Sequence, residues 1–153
     1  MGYTHSWYRP RRLDAATFEH ATLDIQMLYN SFLKPRLFKS FSIGPDFVRI
    51  EGGGETFQVE ALSMERERNG IVFEFCKTQH LPYDLPVMCC LLVFRHHLGP
   101  TFKVCSNGDL PNWQPAIDLV SKVLGWKSTW PFHEEEKDGL VDRWIVETQA
   151  APA

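Results

Sequence analysis

The hydrophobic and polar positions of this chain fall into segments with two different periods. Between Leu13 and Pro35, the residues Phe18, Ala21, Ile25, Leu28 and Phe32 recur at steps of three and four, which puts them on one helical face. Asp14 stands where an N-cap belongs. Leu13 and Phe18 can close a hydrophobic staple across it, and Pro35 ends the helix. A second helix is expected over "DLPVMCCLLVFRHHLG", with Asp84 as its cap, Pro86 in the first turn and Gly99 just past its end. It is apolar on nearly every side and should lie at the centre of the fold. A third helix rests on Trp113, Ile117, Val120 and Leu124 and stops at Gly125.

Strand patterns occupy the rest. "GYTHSWY" is rich in β-formers, and "DFVRIEGGGETFQVEAL" reads as two short strands around a glycine turn. "SMERERNG" is polar and closes on the turn signal Asn69-Gly70. "IVFEFCK" then alternates Ile71, Phe73 and Phe75 with Val72, Glu74 and Cys76, predicting a strand with one well-buried face. "TFKVCS" adds another strand. Past Gly125 the pattern weakens: "WKSTWPFHEEEKDG" reads as a loop, "LVDRWIVE" as a strand or short helix, and "TQAAPA" as a frayed tail. Strands and helices do not alternate strictly, so the expected class is α+β: one domain with a mixed β-sheet and about three helices packed on it. Residues 1–125 form its body, and residues 126–153 are an extension packing on the same domain.

Composition narrows the function classes. The 153 residues suit one core, and 44% hydrophobic residues argue against global disorder. A formal net charge of -3 gives no strong nucleic-acid signal. Arg9, Arg11 and Arg12 read as a solvated turn before a helix, with a phosphate contact as the other reading. No run is long and apolar enough for a membrane span, and the N-terminus lacks the apolar core of a secretory signal. Gly2 and Ser6 fit the loose myristoylation pattern, although the same residues enter the first strand. Cys76, Cys89, Cys90 and Cys105 contain no Cys-x-x-Cys pair and read as reduced thiols, which favours a cytoplasmic protein.

The chemistry concentrates where two strands meet two helices. The strand ending in "CKTQHLPYD" and the strand ending in "CSNGD" enclose the central helix. If they run parallel and nearly adjoin, their carboxyl ends share one sheet edge, where ligands tend to sit. Helix N-termini there would favour an anion. Lys77 would contact it, Thr78 would add a hydroxyl, Tyr83 a ring and a phenol, and Asn107 and Asp109 would stand on the opposite turn. His5, Glu55 and Asp84 are the candidate acids and bases. The plainer alternative is that Asp84 caps a helix, Lys77 is solvated and Tyr83 packs.

"GYTHSW", "GGETF", "FCKTQHLPYD" and "CSNGDLPNW" together resemble the landmarks of a family of uncharacterised bacterial and phage proteins. The likeness covers most of residues 2–125 and implies a shared fold more than a function. Its matching positions are Thr4, His5, Glu55, Thr56, Lys77, Thr78, Tyr83 and Asp84. Ser6 stands where that pattern has Tyr, and Asn107 where it has Asp.

Other constellations are weak. "GGG" at Gly52 to Gly54 lacks the Gly-Lys-Ser/Thr of a phosphate loop and suits a hairpin. His96 and His97 are adjacent, so they do not share a helix face and make a poor metal pair. No metal and no cofactor is expected. Two functions follow. The first is a small soluble protein that binds a polar, anionic, phosphate- or nucleotide-like ligand at the two strand-to-helix junctions, with enzymatic action on it left open and no reaction named. The second is a non-catalytic protein–protein interaction factor using the aromatic C-terminal quarter around Trp126, Trp130 and Trp144.

Overall fold

The structure is a computed structural model, and it describes residues 3–126, 132–135 and 139–142. Eight strands and three α-helices run in the order β1 (Thr4–Arg9), α1 (Ala15–Leu28), β2 (Ser40–Ile43), β3 (Phe47–Glu51), β4 (Phe57–Glu60), β5 (Val72–Lys77), α2 (Asp84–Leu98), β6 (Lys103–Ser106), α3 (Leu110–Leu124), β7 (Phe132–Glu135) and β8 (Gly139–Asp142). They form one α+β domain with two sheets, ordered β5-β1-β6-β8-β7 and β2-β3-β4. Among the described residues no helix is long and apolar enough to cross a membrane.

Every pairing between these strands is antiparallel, so the expected mixed sheet is corrected. The cause is the position of β1. It lies between β5 and β6 and runs against both, with His5 opposite Cys76 on one side and Ser106 on the other. β5 and β6 therefore point the same way without touching. Their carboxyl ends share an edge, and the amino end of β1 lies between them.

Alternation sorts each strand onto two faces. His5, Trp7 and Arg9 of β1, Val72 and Cys76 of β5, and Val104 and Ser106 of β6 are buried on the inner face, toward the helices. The β5 aromatics go the other way. Phe73 and Phe75 are 46% and 49% exposed on the outer face, so the strand's buried side is not its aromatic side. The helices form the second layer. α2 is buried from Pro86 to Arg95 and packs between α1 and α3, as its unbroken apolar run implied. The two sheets share one core, joined where the Trp7 and Phe57 rings approach to 5.4 Å.

Caps decide the helix ends. Asp14 accepts the Thr17 amide at 3.0 Å and the Thr17 hydroxyl at 2.8 Å, which fixes the start of α1. Asp109 caps α3 in a reciprocal capping box with Asn112, and that helix starts earlier than Trp113, at Leu110. Asp84 does not cap α2. It is the helix's first residue, Tyr83 occupies the N-cap, and no side chain closes that end. Gly99 and Gly125 follow their helices with φ of 70° and 71°, a conformation that glycine adopts without strain. Trp126 packs against the core and stacks on His96 at 3.8 Å. Trp130, Trp144 and the proposed tail "TQAAPA" lie outside the described residues.

The Asp14 cap has a pH signature. Its hydrogen bonds to Thr17 hold the carboxyl below its ordinary value of 3.8. The folded state thus keeps the charge where the unfolded chain takes a proton. The contribution is complete above pH 3.8 and is lost as pH falls through the lower folded value. Asp14→Asn keeps a capping oxygen without this titration. It should lose less melting temperature than the wild type on acidification through that window. Equal losses in a calorimetric pH series would contradict the assignment.

Candidate functional site

The shared carboxyl edge of β5 and β6 carries two separate groups of polar side chains, one on each face of the sheet. Strand alternation divides them: Cys76 points inward, Lys77 outward, and Thr78 inward again past the end of β5.

On the inner face a chain of hydrogen bonds joins four elements. Ser106 Oγ accepts from the Gly108 amide at 2.9 Å and from Trp113 Nε1–H at 3.1 Å. These two donors fill its lone pairs, so its own proton goes to His5 Nδ1, 2.8 Å away. The His5 proton therefore sits on Nε2 and is donated to Asp84 Oδ1 at 2.6 Å. Thr78 donates its hydroxyl to the same oxygen at 2.5 Å. His5, Thr78 and Ser106 are buried, and Asp84 is 9% exposed. Above them Tyr3 meets His5 edge-on at 5.0 Å and stacks on His80 at 3.4 Å. Its hydroxyl is buried, and among the described residues it meets no partner at hydrogen-bond geometry. That burial, together with the nearby charges of Asp84 and Asp109, pushes the phenol's ionisation well up.

The order serine, histidine, aspartate resembles a nucleophile, base and orienting acid. The hydrogen-bond count says otherwise. The Ser106 oxygen already accepts two donors and is buried, so it has no free lone pair to attack a substrate. The chain works as a latch tying β1, β6, α2 and α3 together.

Tyr83 and Glu55 belong to a second structural tie. Tyr83 is fully buried, and its hydroxyl donates to the Glu55 carbonyl at 2.6 Å. Gly52 lies directly on the Tyr83 ring, and a Cβ on Gly54 would come within 2.5 Å of the Tyr83 hydroxyl. Gly52 and Gly54 are thus the flat side of a ring contact, and Gly53, with φ of 103°, makes the turn between them. Glu55 holds the end of β5: its carboxylate accepts the Lys77 amide at 2.9 Å, and its amide donates to the Lys77 carbonyl at 3.2 Å. Burial pushes the Cys76 thiol beneath them up to about 12, so it is a packed, unreactive group.

On the outer face is an open groove of about 360 Å³, lined by Thr4, Ser6, Phe73, Phe75, Lys77, Cys105, Ser106 and Asn107. Asn107 shapes its floor by closing the end of the ladder. Its side-chain oxygen accepts the Thr4 amide at 3.1 Å, and its own amide donates to the Thr4 carbonyl at 3.0 Å. Lys77 is exposed, and among the described residues its ammonium has neither an ion pair nor a hydrogen bond.

Of the residues singled out in the sequence, Lys77 and Asn107 therefore meet in the groove. His5, Asp84 and Thr78 meet in the latch. Tyr83 and Glu55 meet at the glycine loop, and Asp109 is an exposed cap. Ser106, Trp113 and Tyr3 complete the latch, and Thr4, Ser6 and Cys105 complete the groove. One signal for them was present in the sequence. Thr4 and Ser6 alternate with His5 and Trp7, so a strand there had to send its hydroxyls to one face and its rings to the other. Comparison of the chain with protein-family models, curated proteins and solved structures gives no match.

Proposed function

We propose that this protein binds a small polar anion, phosphate- or nucleotide-like, in the outer-face groove with Lys77 as the counter-ion. The observation that carries the reading is an ammonium unpaired among the described residues beside a groove of about 360 Å³, on the sheet edge shared by two strand ends. Small-molecule sites typically start near 300 Å³. The Thr4 and Ser6 hydroxyls supply donors, and the exposed Phe75 ring offers a face on which a base could stack. Binding rather than catalysis is favoured, because His5, Asp84 and Glu55 already hold protein groups.

The test is a thermal-shift panel of phosphate, nucleotides and sugar phosphates against wild type and Lys77→Ala. A ligand at 100 times its dissociation constant should add about 2.7 kcal/mol of stability to the wild type. Lys77→Ala should lose that shift while its unliganded stability moves by less than about 0.5 kcal/mol. A shift that survives in Lys77→Ala, or none across the panel, contradicts the reading.

A further inference from the structure

The outer edge of β5 is closed at both ends and open in the middle. The Lys77 amide and carbonyl point away from β1, to Glu55. Those of Ile71 also point away, and bond reciprocally to Arg68 at 2.7 and 2.9 Å. Alternate residues of a strand turn their backbone groups the same way, so Phe73 and Phe75 also face outward. Among the described residues neither has a backbone partner on that side. The hairpin arm that begins at Arg68 explains the gap. Asn69 and Gly70 make the turn with φ of 53° and 79°, but the arm pairs only at Arg68. Ser63 then ties it to the inner face through the Glu74 carboxylate at 2.7 Å. Among the described residues two N–H and two C=O groups are thus left open, beside two exposed aromatic rings.

We propose that this edge is a docking slot for an extended peptide of another protein, added antiparallel to β5 and carrying an acidic residue followed two positions later by an apolar one. An added strand places alternate side chains on the outer face, directly opposite Phe75 and Phe73. An apolar residue there packs on Phe73. An acidic one opposite Phe75 lies diagonal to Lys77, and the Lys103 ammonium adds a second positive charge to the face. Among the outer-face residues of β5, β1 and β6 there is no carboxylate. A second copy of this chain does not fit. Two β5 strands paired about Glu74 would set Ile71 opposite the other copy's Lys77, in the space that Arg68 and Glu55 already fill. The slot therefore admits about three extended residues whose ends turn away. It rests on β5's backbone groups, so the absence of any anion in the groove would leave it standing.

The probe is fluorescein-labelled Gly-Glu-Thr-Ile-Gly amide, followed by anisotropy with the full chain. Saturable binding is expected. It should weaken about tenfold or more when the Glu and Ile nitrogens are methylated, or when Lys replaces Glu in the probe. Phe73→Ser and Phe75→Ser are surface changes, checked for folding by circular dichroism, and each should also weaken it. Absence of saturable binding, equal binding of the methylated probe, or self-association through β5 in sedimentation would each overturn the proposal.

Discussion

Asp84→Ala is expected to destabilise the fold by about 2–6 kcal/mol, because it leaves two buried donors without their acceptor at about 1–3 kcal/mol each. The aspartate accepts from His5 Nε2 and from the Thr78 hydroxyl. Without it both donors are buried with nothing to bond. The loss also spreads along the chain, because the His5 tautomer orients the Ser106 hydroxyl, and that oxygen takes the amide of Gly108 and the indole of Trp113. Asp84→Asn retains an acceptor oxygen and should lose clearly less. Urea denaturation would measure both variants. A loss below about 1 kcal/mol for Asp84→Ala would mean that the latch does not tie the elements together.

Arg9→Ala should have an effect of similar size. The sequence placed Arg9 in a solvated basic turn with Arg11 and Arg12, whereas the structure buries it completely. Its guanidinium donates to the carbonyls of Pro10 at 3.0 Å, Arg11 at 2.9 Å and Ala61 at 3.2 Å, and also to that of Glu60. It lies 3.5 Å from the Glu74 carboxylate. One planar fork thus closes the end of β1 onto the chain leaving β4 and joins the two sheets. Alanine would take the donor from the Pro10 and Glu60 carbonyls and the cation from beside the Glu74 carboxylate, a loss of about 3–5 kcal/mol. Arg9→Lys should recover less than half of it, since a single ammonium cannot span carbonyls in two segments. Lysine restoring full stability in equilibrium denaturation would contradict this account.

What the sequence revealed follows from the range of the interactions involved. α1 was legible because its apolar period and the Asp14 cap are local. The turn at Asn69-Gly70 was legible because its residues are local too. The place of β1 was not, because only long-range pairing puts the first strand between β5 and β6, and that placement makes the sheet antiparallel. Ser40–Ile43 was missed as a strand because it is short and only half buried, with no clean alternation. The sheet edge was legible in the sequence, but not which face each of its residues takes. "FCKTQHLPYD" does mark the sheet edge, yet a one-residue step sends Lys77 to solvent and Thr78 to the core. Asp84 resembled a cap because it begins a helix, and the partner that claims it, His5, lies 79 positions away in the chain. Ile71, Phe73 and Phe75 looked like a buried face from hydrophobicity alone. The residues that fill the inner face, Val72, Glu74 and Cys76, are less apolar as a set but are matched to Trp7, Arg9 and Tyr83.

The most direct test of the central claim, that ligand and latch occupy opposite faces of one sheet edge, is a titration of inorganic phosphate followed by backbone amide correlation spectra. The account predicts saturable shifts at Thr4, Ser6, Lys77, Cys105 and Asn107, with Thr78, Tyr83 and Asp84 nearly still. Shifts centred on Thr78 to Asp84, or none at Lys77, would contradict it.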